Sequence, residues 1–90
     1  MLEPSYRYPT VDPATDGAAK SAVMAAGGTD ASTVYLLADN LYYVLVNQGG
    51  AIAGSVVRGV KKEGLLVWAV LQTHEEPAEQ EELERLVAQV

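Results

Sequence analysis

Thr33-Val34-Tyr35-Leu36-Leu37-Ala38, then Asp39-Asn40, then Leu41-Tyr42-Tyr43-Val44-Leu45-Val46 is the stretch that decides the fold. Two runs of β-branched, aromatic and aliphatic residues are separated by just two residues that tolerate positive φ, which predicts a tight β-hairpin. Downstream, Asn47-Gln48-Gly49-Gly50 and Lys61-Lys62-Glu63-Gly64 repeat the turn signal. Gly64 suits the left-handed position that closes short loops. The segments 51–60 and 65–72 then read as two further strands. Segment 51–60 also places Ile52, Ala53, Val56, Val57 and Val60 at helical spacing. Gly54 and Gly59 would each cost a helix about 1 kcal/mol relative to Ala, and valines favour extended backbone, so the strand is preferred.

Outside this meander the period changes. Asp12-Pro13 supplies a helix start, since Asp can accept from free backbone N–H groups and Pro fits the first turn. The Ala-rich stretch that follows carries Ala18, Ala19, Ala22, Val23 and Ala26 on one side and stops at Gly27-Gly28. Glu76-Pro77 opens a last helix in which Leu83, Leu86, Val87 and Val90 make an aliphatic stripe at i, i+3, i+4, i+7 spacing. The expected fold is α+β: a four-stranded antiparallel meander flanked by an N-terminal Ala-rich helix and a C-terminal acidic amphipathic helix. Residues 1–11, with Tyr6 and Tyr8 between Pro4 and Pro9, are expected as an extended N-terminal arm, and 12–90 as a single domain. The arm either folds back on its own sheet or docks on a partner as a peptide.

Residues opposite each other in a sheet share a face, so turn lengths give a register. Pairing Ala38 with Leu41, Val46 with Ala51 and Val60 with Leu65 collects Val34, Leu36, Leu41, Tyr43, Leu45, Ile52, Val56, Leu65, Val67 and Leu71 on one face. The other face receives Tyr35, Leu37, Tyr42, Val44, Val46, Ala53, Ser55, Val57, Leu66, Trp68 and Val70. Both are apolar, whereas an antiparallel sheet with a wet side alternates apolar and polar residues. Either the two helices take opposite faces, or a second chain covers the face bearing Tyr35, Tyr42 and Trp68. These three are the expected partner-binding residues.

Composition narrows the chemistry. The chain has no cysteine, which removes disulfides, thiolate catalysis and Cys-based metal sites. The formal charge of −6 sits mostly from Glu75 onward, where six acidic residues face one basic. Only Arg58, Lys61 and Lys62 cluster among the cations, so no nucleic-acid partner is expected. The apolar run 65–71 is far short of the roughly 20 residues of a membrane-spanning helix, and the start lacks a basic segment followed by an apolar core. No membrane association is expected, and the expected location is cytoplasmic. His74 stands alone, and a metal site wants several converging ligands. Ser55 lacks the Gly-x-Ser-x-Gly pattern and, on this register, lies roughly 13 Å from His74 on the same face, beyond the reach of a nucleophile and its base. Neither glycine pair, 27–28 or 49–50, carries a phosphate-binding pattern. The acidic run reads as the solvated side of a helix.

No catalytic residue, metal or cofactor is therefore expected. The preferred reading is a non-enzymatic protein-interaction or regulatory domain acting through an apolar sheet face or edge, toward itself as a homodimer or toward another protein. The alternative is a small-molecule sensor with a pocket between helix and sheet, lined by Tyr42, Ser55 and Trp68.

Overall fold

The computed structural model describes residues 6–90. Along the chain run β1 (Thr10–Val11), α1 (Gly17–Ala26), β2 (Thr33–Ala38), β3 (Leu41–Gln48), β4 (Ala51–Lys62), β5 (Leu65–His74) and α2 (Gln80–Gln89). The strands form one antiparallel sheet in the order β1-β2-β3-β4-β5. This is the expected α+β meander between two helices, with five strands in place of four. The added strand comes from the segment assigned to the extended arm: Thr10 pairs with Tyr35 and Val11 with Val34. A strand of two residues, Thr10 and Val11, is too short to show a period. Residues 1–5 of the arm lie outside the described residues.

Segment 51–60 is strand, as preferred, and belongs to the longest one. The turn at Gln48-Gly49-Gly50-Ala51 is tighter than the four-residue loop expected: Gly49 (φ 64°) and Gly50 (φ 92°) alone make it, and Gln48 pairs with Ala51. Val46 therefore meets Ala53 rather than Ala51. The next hairpin behaves alike, with Glu63 (φ 53°) and Gly64 (φ 80°) in the loop. Lys62 faces Leu65 and Val60 faces Val67. Both shifts are by two residues, which leaves every side chain on its face.

Two bulges do change faces. The β2–β3 register slips between Leu36 and Ala38, so that Tyr35 opposes Tyr43 and Leu36 opposes Tyr42. A second slip lets Val56 oppose Gln72 while Val57 opposes Val70. One inserted residue, Leu37 or Leu71, inverts the in–out assignment beyond it. Tyr35 and Leu37 thus lie with Leu41 and Tyr43, and Val34 and Leu36 with Tyr42 and Val44. That reverses the faces expected for β2.

The helices start later than the sequence signals suggest. Asp12 makes a turn instead of a cap, its Oδ1 accepting from Ala14 N at 2.9 Å and its carbonyl from Asp16 N at 2.8 Å. Asp16 is the cap of α1, its carboxylate accepting from Ala18 N at 3.0 Å and Ala19 N at 3.2 Å. The expected stop is present: Gly27 (φ 78°) is left-handed and Gly28 N donates to Val23 O at 2.9 Å. This arrangement satisfies carbonyls that the last turn would leave unpaired. Pro77 lies in the lead-in to α2, which begins at Gln80.

Each face of the sheet has its own helix. Ala19, Ala22 and Val23 of α1 pack on Val34, Tyr42, Val44, Val46 and Val57. Leu83 of α2, with Ala78 before it, packs on Leu37, Leu41, Tyr43, Leu45 and Val56 on the other side. The small side chains of α1 let it sit close to the Tyr42 face. The part of that face around Tyr42 is thus covered by the chain's own helix.

Candidate interaction surface

Of the three expected contact residues, Tyr42 and Trp68 come together and Tyr35 does not. The Tyr42 and Trp68 rings lie 5.6 Å apart on the α1 side, with Tyr42 buried and Trp68 half-buried. Trp68 lies over Gly59, where an added Cβ would come within 2.9 Å of the indole. Tyr35 is buried on the opposite face, edge-on to Tyr6 at 4.8 Å. The bulge at Leu37 is what separates it from the other two.

Tyr6 and Tyr8 pack against the α2-side core, so the described part of the arm folds back on its own domain. Tyr6 Oη donates to the Ala78 carbonyl, and Arg7 N donates to Gln80 Oε1 at 2.9 Å. Ala78 N donates to Tyr43 Oη at 2.8 Å. His74 Nδ1 lies 3.4 Å from the same hydroxyl and its Nε2 3.2 Å from Glu82 Oε1. A neutral imidazole with its proton on Nε2 fits both contacts, accepting from Tyr43 and donating to Glu82. Burial holds the Tyr43 phenol above its ordinary pKa, partly offset by the bond from Ala78. Burial, with the neighbouring Tyr43, raises Tyr6 as well. The cluster fastens the arm and α2 to the sheet.

Ser55 opposes Thr73, not Val70 as expected, and His74 opposes Gly54. Adjacent strand positions point to opposite sides, so Ser55 and His74 are on different faces. The Leu71 bulge causes this: His74 comes next to the position opposite Ser55, not the roughly 13 Å away expected, but its side chain is on the other side of the sheet. Among the described residues, no group of three or more His, Asp or Glu side chains converges as metal ligands would. A shallow depression of about 270 Å³ has Gly27, Ser32, Thr33, Leu45, Asn47 and Ile52 in its wall. Tyr42, Ser55 and Trp68 take no part in it; α1 packs directly on Tyr42.

The sheet edge that the sequence alone does not locate is strand β5. Leu65 is 71% exposed, and Leu66, Val67, Val70 and Leu71 are each between 41% and 47% exposed. Among the described residues nothing pairs with the outer side of this strand. Its outward backbone groups follow from the hairpin. Gly59 N donates to Asn40 O at 2.7 Å, so Gly59 points its backbone toward β3. Its cross-strand partner Trp68 must then point away from β4, and so, two residues either side, do Leu66 and Val70. The signal was present in the sequence: residues 64–74 contain no charge and no proline.

The opposite edge differs in every respect. β1 is two residues long and stands between Pro9 and Pro13, devices that blunt an edge against further pairing. Comparison with protein-family models, curated proteins and solved structures finds no match for the chain.

Proposed function

We propose that this chain is a non-enzymatic protein-interaction module that binds by adding a strand of its partner to the outer edge of β5. The observation that carries the reading is the contrast between the two sheet edges. One is short and proline-flanked, and the other presents ten residues of uncharged, largely apolar strand with its central backbone groups unpaired among the described residues. An edge of this kind is a template for another chain, and strand addition is a recurrent mode of recognition in which main-chain bonds give affinity and alternate side chains give specificity. Tyr42 and Trp68 serve it from beneath, stiffening β4 and β5 where the indole packs on Gly59.

Leu71→Lys tests the proposal, because a lysine on an exposed edge position discourages pairing while leaving the core alone. Proteins retained from native extract by the unmutated chain should be released by this variant at unchanged thermal stability. Equal retention by both would remove β5 from the function.

A further inference from the structure

We propose, on the basis of the edge reading above, that the occupant of β5 is a second copy of this chain. Two β5 strands pair antiparallel about a two-fold axis at Ala69 and join two five-stranded sheets into one. An isologous contact needs one self-complementary patch, and three features of β5 make it self-complementary.

The first is backbone phase. With Ala69 facing Ala69 of the second copy, Trp68 faces Val70, and these are the residues whose N–H and C=O groups point outward. Each such pair can exchange both backbone bonds, and the axis falls on a non-hydrogen-bonded pair, where strands approach most closely. Alanine is the smallest side chain on β5, so the closest approach falls where there is least bulk. The second is the side-chain register. Val67 comes beside Leu71, and Trp68 beside Val70, so apolar groups left open to water in one copy shield one another.

The third is charge. No like charges meet along the strand, since residues 64–74 are uncharged. At its ends the antiparallel arrangement carries the exposed β4–β5 tip, with Lys61 and Lys62, toward exposed Glu75 and Glu76 of the second copy, and the reverse. On this register Lys62 comes opposite Glu76, while Glu63, the one acidic residue at that tip, comes opposite Glu75. A parallel pairing would bring tip to tip and acidic segment to acidic segment. The only basic cluster of a chain of charge −6 thus faces the start of its acidic run.

The absence of cysteine makes a direct test available. Ala69→Cys places the only thiol of each copy on the axis, and mild oxidation should give a covalent dimer. Leu66→Cys, three residues away, should cross-link at least about tenfold less, because a disulfide needs Cβ atoms about 4 Å apart. Sedimentation equilibrium of the unmutated chain should show a dimer. Ala69→Lys, at a position already exposed, should raise its dissociation constant by about tenfold or more while circular dichroism and thermal midpoint stay as they were. A dimer indifferent to Ala69→Lys would overturn this inference, since the interface would be elsewhere. A monomer up to about 100 μM, well above the micromolar range of ordinary specific contacts, overturns self-pairing alone. The edge reading then still stands if the unmutated chain retains another protein that Ala69→Lys loses.

Discussion

Replacing Tyr43 with Phe removes one oxygen from the centre of the molecule and nothing else, so its consequence can be worked from geometry. The ring is fully buried, and a phenyl ring keeps all its apolar contacts. What is lost is the acceptor for Ala78 N, 2.8 Å away, and the hydrogen bond shared with Tyr6. Ala78 is 5% exposed, and a buried donor left without a partner costs about 1–3 kcal/mol. The longer contact to His74, at 3.4 Å, adds little. A loss of about 2 kcal/mol is expected, which for a domain of this size lowers the melting temperature by roughly 8–16 °C. Urea titration followed by Trp68 fluorescence should show a lower midpoint at unchanged slope. Tyr8→Phe, at a half-exposed ring, is the control and should change little. A Tyr43→Phe variant within about 0.5 kcal/mol of the parent would refute the argument, because it would mean that the Ala78 amide finds another acceptor and the phenol does not fasten α2.

The same phenol predicts a pH dependence: because burial raises its folded-state pKa, the unfolded chain loses this proton first, so stability is intact below about pH 10 and falls above it, by at most about 1.4 kcal/mol per pH unit. Tyr43→Phe should flatten that alkaline decline in a series of urea titrations from pH 8 to 11, and an unchanged slope would assign it to other groups. Leu83→Ala empties a fully buried site on α2 and should cost about 2–4 kcal/mol, read from the denaturation midpoint; no shift would make α2 peripheral. Gly54→Ala should destabilise by more than about 2 kcal/mol, since a Cβ there would overlap the buried Tyr43 hydroxyl, and a thermal midpoint equal to the parent's would show that the ring can move aside.

The hairpins were legible because their turns are written in residue types: Asp39-Asn40, Gly49-Gly50 and Glu63-Gly64 each mark a two-residue loop. Face assignment was less so. It depends on parity along the strand, and the bulges at Leu37 and Leu71 each insert a residue that looks like its neighbours. In Val34-Tyr35-Leu36-Leu37 every residue is apolar, so no polar position betrays the slip, and simple alternation puts Tyr35 beside Tyr42 although it lies beside Tyr43. The helix starts failed for a different reason. Asp12-Pro13 and Glu76-Pro77 carry the preferred residue types, but each lies in the lead-in to its helix, and the cap position is Asp16 in one and Glu79 in the other. The candidate surface was readable only in part: the apolar surplus was evident, but its location depended on which strands the helices could reach.

That reach follows from the dimensions of the elements. A ten-residue α-helix is about 15 Å long, whereas strands of ten and twelve residues extend for roughly 34 and 40 Å, and the longest extent of the molecule is 41 Å. One such helix on each face cannot cover the full length of β4 and β5. α1 lies across β3 to β5, while α2 reaches β2 on the other side, so the far part of the β4–β5 hairpin projects beyond both. Val60, Leu65 and Val67 remain open there although the sheet has a helix on each face. A shorter hairpin would have fitted the helices and left a closed domain. Its excess length carries apolar side chains where no described element of the chain can shield them, and a strand laid along the outer edge of β5 is the addition that would shield them and pair the backbone in one step.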